Sequence, residues 1–236
     1  MNFKFSKILI KLSGESLSGE KHYGFDEKVI LDFAEEISEV AKKGVKVGIV
    51  VGGGNIFRGK KANEWLNRID ADYMGMLGTV INGLALKSAF EFFEIKSKVF
   101  TAIEMLPIGE RFTREKAIES LENSQIAIFT FGTSNPFFTT DTTAVLRAAE
   151  INADIILKAT RVDGVYDKDP EKFNDAKKFD KLTFDEALEK NLKIMDMTAY
   201  SLCRETNIPV IVFNVTKKGN LLKIINGEKV GTLIIP

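Results

Sequence analysis

From Gly132 to Thr143 the chain reads Gly-Thr-Ser-Asn-Pro-Phe-Phe-Thr-Thr-Asp-Thr-Thr, a mixture of backbone breakers, adjacent aromatics and hydroxyls. Two exposed phenylalanines are unfavourable unless something flat packs on them. Threonine hydroxyls ahead of a helix N-terminus offer donors where an anion is welcome. The stretch suits a nucleotide-like acceptor. A second group of residues suits phosphate. Gly52-Gly53-Gly54-Asn55 follows the apolar run Val45 to Val51, and Arg58 lies close behind. Consecutive glycines leave backbone N–H groups open to phosphate oxygens, and arginine supplies a planar fork that fits them. The turn is neither G-x-G-x-x-G nor G-x-x-x-x-G-K-[ST], so the Rossmann fingerprint and the Walker loop are both missing. Lys11-Leu12-Ser13-Gly14 ends another apolar run. It reads either as a ligand contact at a strand end or as a lysine that guards a sheet edge.

The totals narrow the chemistry. Lys plus Arg equals Asp plus Glu at 33 each in 236 residues, so no global field recruits nucleic acid or anionic membrane, and any anion site must be local. One cysteine, Cys203, excludes an internal disulfide framework and a cysteine-based zinc site, and it reads as a buried core thiol. One histidine, His22, stands in polar surroundings and reads as a surface-loop residue, which argues against Ser-His-Asp chemistry. No apolar run approaches the ~20 residues that span a bilayer, and the first apolar run is too short for a secretory signal. The expectation is a cytoplasmic enzyme with no membrane and no nucleic acid in its function.

The elements that must position these residues alternate. Strands are read at Ser6–Leu12, Val45–Val51, Val99–Thr101, Ile126–Phe129, Asp154–Lys158, Pro209–Asn214 and Thr232–Ile235. Helices are read from Asp26 as a cap to Gly44, from Asp72 to about Phe93, over Thr113–Glu122, from Ala144, from the capping box at Thr183, from Asp196 to about Thr206, and over Leu221–Ile225. Asp72 reads either as an N-cap or as a carboxylate for sugar hydroxyls. Gly75, Gly78 and Gly83 within the long helix suggest close helix packing, possible across a subunit interface. Most strands are continuous apolar runs, which implies an α/β fold with a mainly parallel sheet and helices on both faces. The loops after four strands then fall along one sheet edge, where ligands bind. That edge offers glycine backbone, Lys11, Arg58, hydroxyls, aromatics and carboxylates, but no histidine base. The set suits phosphoryl transfer, which depends on positioning and charge stabilisation.

Ile10 to Glu15, Val51 to Gly59, Asp72-Tyr73-Met74-Gly75-Met76, Gly132 to Thr142 and Lys158 to Asp169 together resemble the bacterial UMP kinases. These form a branch of the amino-acid kinase superfamily, unrelated to the P-loop nucleoside monophosphate kinases. The resemblance runs through essentially the whole chain. It implies a three-layer α/β/α sandwich, one amino-acid kinase domain over residues 1–236, and the reaction ATP + UMP → ADP + UDP. The N-terminal part would mainly bind UMP and the C-terminal part the ATP nucleoside. By the matching motifs, Lys11, Leu12, Ser13, Gly14, Gly54 and Arg58 would contact the donor phosphates. Thr160, Tyr166 and Asp169 would hold the ATP nucleoside. Gly53, Asp72, Thr133, Ser134, Asn135, Pro136, Phe137, Phe138, Thr139 and Thr140 would hold UMP. Lys11, Arg58 and Asp141 would serve the chemistry, Asp141 by organising the catalytic lysine or Mg²⁺, which enters with ATP. Ser134 stands where many relatives carry Gly. The resemblance also implies a homohexamer inhibited by UTP, with GTP as an activator acting through the loop Gly19, Glu20, Lys21, His22, Tyr23 and Gly24. Two alternatives remain open. One is a carboxylate kinase of the same superfamily, which would not need the Phe-Phe-Thr-Thr loop. The other is a regulator that senses UTP or GTP and transfers nothing.

Overall fold

A computed structural model describes residues 3–21, 23–58 and 65–236. The expectations for His22 and for the polar stretch beginning at Lys60 fall, up to position 64, outside the described residues. Strands and helices alternate as the apolar runs require. β1 (Lys7–Leu12) leads through a short helix α1 (Gly14–Leu17) to α2 (Glu27–Lys42), β2 (Lys46–Val51) and the long α3 (Arg68–Phe92). Then come β3 (Ser97–Thr101), β4 (Glu110–Arg111), α4 (Arg114–Glu122), β5 (Ile126–Thr130), α5 (Thr140–Glu150) and β6 (Ile155–Thr160). The C-terminal part holds β7 (Val165–Tyr166), β8 (Lys178–Phe179), β9 (Lys181–Thr183), α6 (Phe184–Glu189), α7 (Met197–Thr206), β10 (Val210–Asn214), α8 (Asn220–Ile225) and β11 (Thr232–Ile235).

Nine strands form one sheet in the order β4-β3-β5-β2-β1-β6-β10-β11-β9. Every pairing in it is parallel except β10 with β11. β1 has β2 on one side and β6 on the other, so the chain changes direction across the sheet at β1. In such sheets the crevice beyond the strand carboxyl ends at the switch point is where ligands bind.

Side-chain alternation divides the interior into two layers. Ile8, Ile10 and Leu12 face α2, α3 and α8. Leu9, Val50 and Phe129 face α4, α5, α6 and α7. Lys11 shares the face of Leu9, and Lys158 that of Ile156, so both lysines point to the α5 side.

The helix starts follow their caps. Asp26 accepts from Lys28 N at 3.0 Å and from Val29 N at 3.3 Å, and Thr183 and Glu186 form the expected capping box. Asp72 is not a cap. α3 begins at Arg68, and the Asn67 side chain accepts from Asp70 N at 2.9 Å. An asparagine at the end of a polar run carried a weaker signal than Asp before an apolar run. Two of the three glycines of α3 serve close contacts within the chain. A Cβ at Gly78 would come within 3.0 Å of the Gly53 carbonyl oxygen, and a Cβ at Gly83 would strike the Thr130 methyl. A Cβ at Gly75 would meet nothing within 4 Å. No helix among the described residues is long and apolar enough to cross a membrane.

Candidate active site

Four adjacent strands, β5, β2, β1 and β6, deliver their following loops to one edge. At its centre Lys11 and Lys158 are register partners on β1 and β6. Like charges directly opposite each other on parallel strands repel. Asp141, in the first turn of α5, lies between them. Lys11 Nζ is 2.7 Å from Asp141 Oδ1, and Lys158 Nζ is 2.8 Å from Oδ2. The contact to Oδ1 is an ion pair outside hydrogen-bond geometry, so that oxygen accepts no hydrogen bond. Burial pushes the Asp141 carboxyl up, but the Lys11 and Lys158 ammoniums outweigh it and hold it below its ordinary value. Burial pulls Lys158 down, and Asp141 offsets that only in part. Two cations share the Asp141 carboxylate, and the Asp196 carboxylate is close enough to Lys158 to favour its charge as well. Lys158 also donates to the Ile194 carbonyl.

On one side of this group lies an open cavity of about 200 Å³. Gly53, Gly54 and Phe57 wall it from the β2 turn, Asp72, Gly75 and Thr79 from α3, and Phe138, Thr139 and Thr140 from the α5 entry. The triglycine turn is packed against α3 so closely that a methyl at Gly53 would collide with the Gly75 carbonyl oxygen. Gly14 is equally enclosed, since a Cβ there would lie 2.5 Å from Asn55 Oδ1 and 2.7 Å from the Gly52 carbonyl oxygen. A buried reciprocal amide pair fixes the turn. Asn55 Nδ2 donates to Asn82 Oδ1 at 3.0 Å, and Asn82 Nδ2 donates to Asn55 Oδ1 at 2.6 Å and to the Gly52 carbonyl at 2.7 Å.

On the other side a cavity of about 520 Å³ is lined by Lys158, Thr160, Tyr166, Asp169 and the segment Lys190 to Ile194. Thr160 Oγ1 donates to the Val162 carbonyl at 2.7 Å. The Tyr166 hydroxyl donates to Asp163, which pushes its pKa up to about 12 and keeps the ring neutral. Asp169 faces Lys172 at 3.2 Å.

The structure gathers most of the expected residues and separates some. Gly53, Asp72, Phe138, Thr139 and Thr140 line the smaller cavity, and Thr160, Tyr166 and Asp169 the larger. Thr133, Ser134, Asn135, Pro136 and Phe137 do not line the smaller cavity; they form the tip of the loop beside it. Thr133 and Asn135 bond to each other there at 3.2–3.3 Å. Phe137 is 65% exposed, with the Arg68 guanidinium 5.4 Å from its ring centre. Its N–H donates to Asp72 at 2.8 Å, and Arg68 Nε donates to both Asp72 oxygens at 2.9 Å. Ser134 has φ +66°, a backbone setting that favours glycine. Leu12 turns its side chain into the core, and its carbonyl accepts from Gly52 N at 2.8 Å. Ser13 precedes α1, and Arg58 pairs with Glu15 while its Nε donates to the Gly54 carbonyl at 3.2 Å. Gly24 is tied to the triglycine turn in both directions, its N–H to the Asn55 carbonyl at 2.9 Å and its carbonyl to Asn55 Nδ2 at 2.6 Å. Cys203 is buried, and burial pushes its thiol up to about 12, which removes it as a nucleophile.

The model of the amino acid kinase family matches residues 6–214. The chain belongs to the amino acid kinase family. Among its relatives in that family is the uridylate kinase of Bacteroides thetaiotaomicron, 53% identical over 232 residues that make up 98% of each chain. The fold agrees with solved UMP kinase structures. The one from Bacillus anthracis superposes with a TM-score of 0.94 at 40% identity, covering 98% of this chain and 96% of its own. The one from Ureaplasma parvum gives 0.92 at 39%, covering 98% and 99%. Within an amino acid kinase fold Lys158 was the residue that reading the sequence left out of the site. Its signal was present: Ile-Ile-Leu-Lys-Ala repeats the pattern of Ile-Leu-Ile-Lys-Leu at β1, an apolar run ending on an inward lysine. Asp196 and Asn82 carried no such pattern, because their partners lie 54 and 27 residues away.

Proposed function

We propose that this chain transfers the γ-phosphoryl group of ATP to UMP, with UMP in the smaller cavity and the ATP nucleoside in the larger. The observation that carries this reading is the Lys11–Asp141–Lys158 group, in which Lys158 lines the larger cavity and Asp141 directly follows Thr139 and Thr140 of the smaller one. A UMP phosphate oxygen attacks the γ-phosphorus, the bond to the β-γ bridging oxygen breaks, and ADP takes that electron pair. The attacking phosphate is ionised near neutral pH and needs no base. Lys11 and Lys158 stabilise the charge that spreads over the transferring group. Asp141 keeps both ammoniums aimed at it. Backbone N–H groups of Gly53 and Gly54, with Arg58, contact phosphate oxygens. Asp72 holds UMP from α3, and its bond to Phe137 N places the loop from Thr133 to Phe137 as a rim over the acceptor.

Mg²⁺, entering with ATP, would supply charge neutralisation at the donor phosphates. Asp141 is the carboxylate that would help hold the ion, in addition to orienting the two lysines. The reading takes residues 1–236 as one domain and the enzyme as a cytoplasmic homohexamer. Exposed apolar residues along α3 (Tyr73, Leu77, Ile81 and Leu84) support self-association. UTP as inhibitor and GTP as activator complete it, and the Gly24–Asn55 bonds give the Gly19–Gly24 loop a mechanical connection to the phosphate turn.

An ADP-release assay with UMP, CMP and glutamate, each with and without GTP and UTP, tests the proposal. UMP-dependent release is expected. Release with glutamate alone would assign the chain to carboxylate phosphorylation instead, and no release with any acceptor would favour a sensor.

A further inference from the structure

The segment from Lys190 to Asp196 serves both halves of the cleft, although no residue lines both cavities. Lys190 to Ile194 wall the donor cavity, and the Ile194 carbonyl accepts from Lys158. Two residues later Asp196 meets the acceptor side. Both its oxygens are 3.0 Å from the Thr142 hydroxyl, and Oδ2 also accepts from the Thr139 hydroxyl. Thr139 lines the acceptor cavity and caps α5; Thr142 is buried behind it. Asp196 caps α7 as well, accepting from Ala199 N at 2.9 Å. Capping uses Oδ1, which the Thr142 hydroxyl shares, and Oδ2 is given wholly to α5. The Tyr200 hydroxyl, on α7, donates to the Leu192 carbonyl at 3.1 Å and pins the segment at another point.

We propose that Asp196 is a positioning residue, through which this segment couples occupancy of the donor-nucleoside cavity to the grip of the α5 entry on the acceptor. The inference rests on the reading that ATP and UMP occupy these cavities. A nucleoside packed against Leu192 to Ile194 would restrict the segment that carries Asp196. Thr139 and Thr142 are then held before the acceptor arrives, and the acceptor no longer has to order them. Coupling of this kind is reciprocal, so UMP must tighten donor binding by the same factor.

The test is calorimetric titration of UMP into the full chain, with and without the Mg²⁺ complex of a non-hydrolysable ATP analogue. Two variants are compared with the wild type. Asp196→Ser keeps a cap for α7 but is too short to reach both threonines. Thr142→Val keeps the buried shape and removes one hydroxyl. The wild type is expected to bind UMP at least about fivefold tighter with the analogue than without it. In both variants that ratio falls toward one, while the analogue alone binds as it does to the wild type. A role in stability alone would lower the melting temperature and leave the ratio unchanged; that result, or a wild-type ratio of one, overturns the proposal. If Asp196→Ser does not fold, Thr142→Val decides by the same ratio. Failure of UMP to bind the wild type under either condition would overturn the substrate assignment itself, a result distinct from loss of coupling.

Discussion

Two ammonium groups on neighbouring strands repel, and Asp141 is what allows Lys11 and Lys158 to share the floor of one cleft. Lys11→Met should leave the fold intact and reduce turnover by on the order of a hundredfold or more, since charge stabilisation in a dry site contributes several kcal/mol. Steady-state rates beside a circular-dichroism spectrum check this; normal turnover would remove Lys11 from the chemistry. Asp141→Asn strips the carboxylate from between two buried cations. The expected loss is about 3 kcal/mol at neutral pH, as for other broken buried pairs. The pH dependence has a definite sign. The native Asp141 carboxyl lies below its ordinary 3.8, so its contribution is fully present above that value and is lost only as pH falls through the lower native value. Thermal melts of both proteins should therefore differ most at neutral pH and converge only below about pH 4. Asp72 is tied to Phe137 N and Arg68 at the acceptor cavity, not at a helix cap. Asp72→Asn should raise the KM for UMP several-fold more than that for ATP, as removal of an interaction made to one substrate does. An equal rise in both would assign Asp72 to general structure.

The elements explain why a flexible-looking Gly-Gly-Gly turn is held in one place. α3 presses Gly78 against Gly53, and Asn82 bonds to both Asn55 and the Gly52 carbonyl. Asn82→Ala leaves a buried amide and a buried carbonyl short of partners, which costs about 1–3 kcal/mol. At roughly 2–4 °C per kcal/mol for a chain of this size, the melting temperature should fall by several degrees. The KM values for both substrates should rise, because Gly53 and Gly54 of the turn wall the smaller cavity and are proposed to contact phosphate oxygens. An unchanged melting temperature would show that the amide pair contributes nothing. The larger strands and helices were legible from apolar periodicity and caps, down to Asp26, Thr183 and Asp196 as N-caps. β4, β7, β8 and β9 were not. Strands of two or three residues are too short to show alternation, and they form only because a neighbour supplies hydrogen bonds. The start of α5 was also read late, since Thr140 to Thr143 have modest helix propensity and enter the helix because Thr139 caps it.

For the molecule as a whole, one sheet carries both cavities on a single edge, and the long α3 leaves an apolar stripe outward. Tyr73, Leu77, Ile81 and Leu84 recur at helical spacing on that stripe, 38% to 48% exposed. Analytical ultracentrifugation should give a species near six times the 26.3 kDa chain mass. Ile81→Glu should shift it to smaller species, because charges at the core of an interface are strongly disfavoured. A monomeric wild type would remove the hexamer from the proposal.

The sequence by itself determined the class of fold, because continuous apolar runs alternating with amphipathic segments can bury themselves only as a mainly parallel sheet between helices. It also marked the strand-end motifs, because lysine, glycines and hydroxyls at those positions have few purely structural uses. Only the tertiary structure decided that Lys158 joins Lys11 and Asp141, since that depends on the register of two strands nearly 150 residues apart. It decided likewise that the loop from Thr133 to Phe137 lies beside the smaller cavity and does not wall it, since Gly132 to Thr143 was read as one acceptor stretch and only Gly132, Phe138, Thr139, Thr140 and Thr143 line that cavity. Periodicity reports which face of an element is buried. It does not report which distant side chains meet there, because that is set by packing between elements.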